Sequence, residues 1–222
     1  MTKFTLQLAI ALTLAASALT GCGGGGDSGP PQSFTTQISS DPGYDGDIQQ
    51  TSPGVYAVTQ GMSASVQSVF AGIEPAGGTE FRTFLDFQLT GPGGVPANAA
   101  IESAYLDIYI NSLQPSTTSV PLRIELVAFQ PPTLLGTDFD RNSQPALAYV
   151  QVPGLFVLAD VGTNVSIDVT DLMVRAQQMG LVDFQVRVME DLGPAVVGLI
   201  EINDSTASDR AIHAPQLTVT YQ

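Results

Sequence analysis

Apolar and polar residues alternate with a period of two along most of this chain, the pattern of strands that bury one face and expose the other. In the segment 81–89, Phe81, Leu85, Phe87 and Leu89 share one face. Across 101–111, Ala104, Leu106, Ile108 and Ile110 lie opposite Ser103, Asp107 and the tyrosines 105 and 109. Leu122, Ile124, Leu126 and Ala128 alternate with Arg123 and Glu125, and Val182, Phe184, Val186 and Val188 with Asp183, Gln185 and Arg187. A last strand runs from Gln216 to Tyr221 after Pro215, and shorter ones are predicted near 55–60, 64–70, 147–152, 155–159, 164–168 and 196–202. Gly91-Pro92-Gly93-Gly94 and Gly193-Pro194 supply turns. One stretch switches to helical spacing: Leu172, Ala176 and Met179 fall on one stripe, Asp168 or Thr170 can cap it, and Gly180 can end it. Many short strands and one short helix predict an all-β fold, an antiparallel β-sandwich of jelly-roll-like topology.

The N-terminus breaks the pattern. After Lys3, the run from Leu6 to Leu19 is apolar except for Gln7, Thr13 and Ser17. It is short for a permanent span and suits the apolar region of an export signal. It ends in Leu19-Thr20-Gly21-Cys22, which resembles the lipobox of bacterial lipoproteins, where small residues admit the peptidase and the thiol accepts the lipid. Residues 1–21 are therefore expected to be a lipoprotein signal peptide and Cys22 the lipidated N-terminus, partnering the membrane through more than one acyl chain, as stable anchoring requires. Gly23 follows the cysteine where an Asp favours inner-membrane retention, so the expected location is the outer membrane. Residues 22–34, rich in Gly and Pro, read as a tether. Cys22 is the only cysteine, so the domain expected over 35–222 contains no disulfide and depends on its core.

Once Lys3 leaves with the signal, six arginines face 21 acidic residues, a net −15. That charge argues against nucleic acid and anionic lipid surfaces as partners and is compatible with divalent cations.

Four blocks carry a family resemblance. Phe81-Arg82-Thr83-Phe84-Leu85-Asp86-Phe87 precedes the segment 95–106, Val95-Pro96-Ala97-Asn98-Ala99-Ala100-Ile101-Glu102-Ser103-Ala104-Tyr105-Leu106. Ile167-Asp168-Val169-Thr170-Asp171-Leu172 and Ala214-Pro215-Gln216-Leu217-Thr218-Val219-Thr220-Tyr221 follow. In this order they resemble the DNRLRE domain, a secreted β-sandwich module, over roughly 41–222. The resemblance implies a carbohydrate-binding-module-like role, in a family some of whose members hold acidic polysaccharides. This chain departs from those members: it has no tryptophan for sugar stacking and no lysine in the mature part.

Catalytic signals are sparse. His213 is the only histidine, in a segment leading into the last strand, and reads as a loop residue; no G-x-S-x-G, zinc cluster, P-loop or dinucleotide fingerprint occurs. Arg82 is expected to form a structural ion pair with Asp86 or Asp107, and Asp168-Val169-Thr170-Asp171 a helix cap. Two acidic loops are calcium candidates, and calcium is the only cofactor suggested. Asp41, Asp45 and Asp47 crowd three carboxylates beside Gly43 and Gly46, and Asp138, Asp140 and Asn142 have the opening spacing of a calcium loop, although Ser143 and Tyr149 stand where Gly and Glu belong. The expected function is a non-catalytic surface binding module for a glycan or another envelope component. The alternatives are a structural or assembly protein of the envelope and a divergent carboxylate-dependent glycan-active enzyme.

Overall fold

The computed structural model describes residues 31–61, 67–115, 118–129, 133–191, 197–206 and 208–222. The expected signal segment, Cys22 and the tether as far as Pro30 lie outside them. Ser33–Gln222 forms one compact unit.

Twelve strands form among the described residues. They are β1 (Phe34–Ser39), β2 (Gly46–Ser52), β3 (Val55–Gln60), β4 (Ser68–Ile73), β5 (Glu80–Gln88), β6 (Ile101–Pro115), β7 (Ser119–Val127), β8 (Ala148–Val157), β9 (Asn164–Asp168), β10 (Asp183–Glu190), β11 (Gly198–Asn203) and β12 (Gln216–Tyr221). All their pairings are antiparallel. The 15-residue β6 is the corner of the fold. Its first part pairs with β12 and β9, and its last part with β11, so it passes from one layer to the other. One layer is β1-β12-β6-β9, and the other runs β11-β4-β5-β10-β7-β8 with the β2–β3 hairpin against β5.

Leu106, Ile108, Leu217, Val219 and Ile167 from the first layer meet Leu85, Phe87, Phe184, Val186, Leu122, Ile124 and Ile200 from the second in one buried cluster. Each such side chain contributes about 1.5–3 kcal/mol on burial. Helix α1 (Thr170–Gln178) adds Leu172, Met173 and Ala176. The N-cap is Val169, not Asp168 or Thr170, and it makes no side-chain cap bond; Asp168, one residue earlier, accepts from the Thr170 amide at 2.9 Å and hydroxyl at 2.6 Å. Gly180, at φ +66, ends it. The Leu181 amide reaches the Ala176 carbonyl and the Gly180 amide the Gln177 carbonyl, so the last turn closes on its own orphan acceptors. Met179, expected on the buried stripe, is the residue after the last helical one, within that closing turn, and is 41% exposed.

Other departures have local causes. The strands expected at 147–152 and 155–159 are one strand, β8, interrupted in register where Pro153 and Gly154 fall. Val182, expected inside, precedes β10 and is exposed. Ala128, likewise expected on the core face, follows the end of β7 and is exposed, while Arg123, Glu125 and Val127 are buried: β7 is covered on both faces. Strands β1 and β2 have no clear alternation, and one further helical turn, α2 (Arg210–His213), precedes β12.

Candidate functional site

Strand β6 carries Tyr105, Asp107 and Tyr109 at alternate positions, so all three share the outer face of the four-stranded layer. Register sets their neighbours. One row reads Gln37, Thr218, Tyr105, Asp168, and the next Ser39, Gln216, Asp107, Ser166, with Asn164 beside Tyr109. Tyr105 is 41% exposed. The two rows are tied by the Thr218 hydroxyl, which donates to Asp107 Oδ2 at 3.4 Å; in the row beyond Tyr105, Thr35 Oγ1 lies 3.0 Å from Thr220 Oγ1. At one end the His213 ring lies 4.1 Å from that of Tyr109, held by its Nδ1 against Asp209 Oδ2 at 3.3 Å. His213 thus belongs to a helical turn that buttresses Tyr109. Bonds from the Thr170 hydroxyl and amide hold the Asp168 carboxyl below its ordinary range. These rows present hydroxyls, amides and two tyrosine rings on one sheet face, with carboxylates as their only charges.

The first acidic loop disperses its carboxylates. Asp41 Oδ1 accepts from the Gly43 amide at 2.8 Å, Asp45 Oδ1 from the Asp86 amide at 2.8 Å, and Asp47 Oδ2 from the Phe70 amide at 3.2 Å. Asp45 is fully buried, its Oδ2 without a hydrogen-bond partner, and it faces Asp204, itself 1% exposed and held by Arg210 at 3.1 Å. Burial, then repulsion by Asp204, pushes the Asp45 carboxyl well above the ordinary range. Burial pushes Asp47 up to about 7, and Asp86, to which Gln185 donates at 2.7 Å, to about 6. In the second loop Asp138 Oδ2 accepts from the Leu135 amide at 2.8 Å. Asp140 Oδ1 accepts from the Asn142 amide at 2.9 Å and its Oδ2 from Ser143 Oγ at 3.2 Å, which closes a turn. Among the described residues no group of three or more His, Cys, Asp or Glu is placed to hold a metal ion.

Arg82 does form an ion pair, but not with the expected partners. Its guanidinium meets Glu80 at 2.7 Å, donates to the Phe139 carbonyl and stacks 3.9 Å from the Phe139 ring. Asp86 bonds Gln185 instead, and Asp107 is on the other layer. The strongest pair on this face was hidden in the sequence. Arg187 and Glu125 stand opposite each other on β10 and β7, both fully buried, 2.6 Å apart. Arg187 also donates to the Asp138 and Gln144 carbonyls at 2.8 and 2.9 Å, which fastens the segment 133–147 over the sheet. Phe139 and Leu134 from that segment bury Phe84, Ile48 and Val127 beneath it. Opposite charges at the centre of two adjacent apolar strands were the available signal. No family model matches the chain, and no curated protein matches it.

Proposed function

We propose that the protein is a lipid-anchored, non-catalytic binding module of the bacterial envelope, placed at the outer membrane by Cys22, whose ligand lies across the outer face of the β1-β12-β6-β9 layer. The observation that carries this reading is Tyr105, exposed in a row between Thr218 and Asp168. A tyrosine ring offers an apolar face with a polar edge, and the flanking hydroxyls and amides supply hydrogen bonds in both directions. That combination suits a neutral polyhydroxylated chain. The carboxylates and the net charge disfavour an acidic one.

The test is a glycan and envelope-component binding screen with Ser33–Gln222, repeated with Tyr105→Ala. Loss of about 10-fold or more in affinity is expected, the scale of a central aromatic contact, with an unchanged melting temperature because the ring is exposed. Retention of full affinity by Tyr105→Ala would place the ligand elsewhere. The anchor has its own test. The full-length chain should partition into detergent, and Cys22→Ser should move it to the aqueous phase or leave it unprocessed; equal partitioning of the two would remove the lipid from the proposal.

A further inference from the structure

Open sheet edges invite pairing with other chains, and proteins blunt them with charge, proline, short length or a covering loop. Three edges of this sandwich are blunted. The Gly91–Gly94 turn lies along β1, where the Thr36 hydroxyl donates to the Gly93 carbonyl. Strand β8 contains Pro153, which has no N–H to offer, and a register break. Strand β9 is five residues long and ends in Asp168.

Strand β3 is less protected: the segment 133–139 meets its Tyr56 and Gln60 side chains, at the Phe139 ring 5.2 Å away and through the Leu134 amide at 2.7 Å, but adds no strand to its edge. It pairs with β2 on one side, and no strand among the described residues pairs with its other side. Val55 is 53% and Val58 41% exposed, and Ala57 and Thr59 are exposed too. The strand has neither proline nor charge. Between Asp47 and Glu74 the chain contains no charged residue at all, although its net charge is −14. A second copy of this acidic protein would be repelled over most of its surface, and least here.

We infer that β3 is a self-association edge, at which two copies of the chain pair their β3 strands antiparallel about a two-fold axis. Centred on Val58, such a pair sets each Val58 against its copy and Tyr56 against Gln60 of the partner subunit, so that the two sheets continue into each other with no charged residue on either β3. The same patch serves both partners, as a closed two-fold interface requires. Strand β3 shares no sheet layer with Tyr105, so this inference stands independently of the ligand reading.

The experiment is sedimentation velocity of Ser33–Gln222, the unit that holds every described strand and both buried clusters. A monomer–dimer equilibrium is expected over a concentration series, tightening as salt screens the repulsion between the acidic surfaces. Val58→Lys should return the protein to monomer with an unchanged melting temperature, since the side chain it replaces is exposed. Residues 33–222 contain no cysteine, so Val58→Cys reports the register directly: mild oxidation should yield a disulfide-linked dimer, and Val182→Cys, exposed elsewhere, should not. A monomer at every concentration, a dimer that survives Val58→Lys, or growth past the dimer into open-ended assemblies would each overturn the two-fold pairing.

Discussion

Glu125→Gln should cost the domain about 3–5 kcal/mol, the range seen when one member of a buried ion pair is removed, out of a total of roughly 5–15 kcal/mol. Glu125 is fully buried and is the shared acceptor of a small cluster. Its Oε2 takes the Arg187 Nε and Nη2 at 2.9 and 2.6 Å, while its Oε1 takes Arg141 at 2.9 Å and faces Arg123 at 3.5 Å. Glutamine keeps the shape but turns an NH2 toward these donors. Arg187, with no exposed surface and with Arg82 and Arg141 near it, is left as an uncompensated cation. An arginine cannot escape by losing its proton. Urea unfolding reads the loss as a lower midpoint. Glu125→Leu combined with Arg187→Met discriminates the cause, because replacing both charges by apolar groups is often neutral or better. The double variant should regain most of the midpoint. It should not regain the protection of 133–147, because the Asp138 and Gln144 carbonyls lose their donor. Hydrogen exchange in that segment should rise while the sheet stays protected. A Glu125→Gln midpoint equal to wild type would mean the pair contributes specificity rather than stability.

The same face shows where local pattern stops being informative. Leu106 and Ile108, Leu122 and Ile124, and Val186 and Val188 were legible as core because their strands differ sharply between faces, and the sandwich follows from them. The opposite side of β7 and β10 reads as solvent from alternation alone. It is buried because 133–147 folds back over it, and no periodicity in that segment marks the contact. Strand β2 was illegible for a related reason. Ile48 is its only large apolar residue, and Asp47, beside it, is buried as well, so residues that look like a solvated metal loop begin a strand. Asp45 meets Asp204 from a distant part of the chain, a pairing that no local spacing announces. Tyr105 and Tyr109 were readable as sharing a face. Which polar residues flank them on that face required the register of β12 and β9.

The domain should be more stable at pH 4.5 than at pH 8, because its buried carboxylates outweigh its stabilised exposed ones. Burial raises Asp45, Asp47, Asp86, Glu190 and Asp204. Asp47 and Glu190 reach about 7 and Asp86 about 6, with Glu80 and Asp191 adding repulsion at Glu190 and Arg210 opposing the rise at Asp204. Between the unfolded range near pH 4 and these folded values, the native state keeps protons that the unfolded chain has released, so unfolding stability falls as pH rises. The fall begins near pH 4 and runs through 6 and 7 as Asp86, Asp47 and Glu190 ionise in the native state. Asp140, Asp168 and Asp209 act in the opposite sense, since hydrogen bonds lower their pKa values, and their contribution is lost only as pH drops below about 4. The optimum therefore lies near pH 4–5. Asp47→Asn isolates one contributor. The amide oxygen can still accept from Phe70 N–H, while the charge that must otherwise be buried at high pH is gone. Moving a carboxyl from 3.8 to about 7 corresponds to on the order of 4 kcal/mol at alkaline pH. Asp47→Asn should accordingly raise the urea midpoint at pH 8 and leave it nearly unchanged at pH 4.5, flattening the pH profile. A wild type that is more stable at pH 8, or an Asp47→Asn that destabilises equally at both values, would show that Asp47 is ionised and well solvated in the native state.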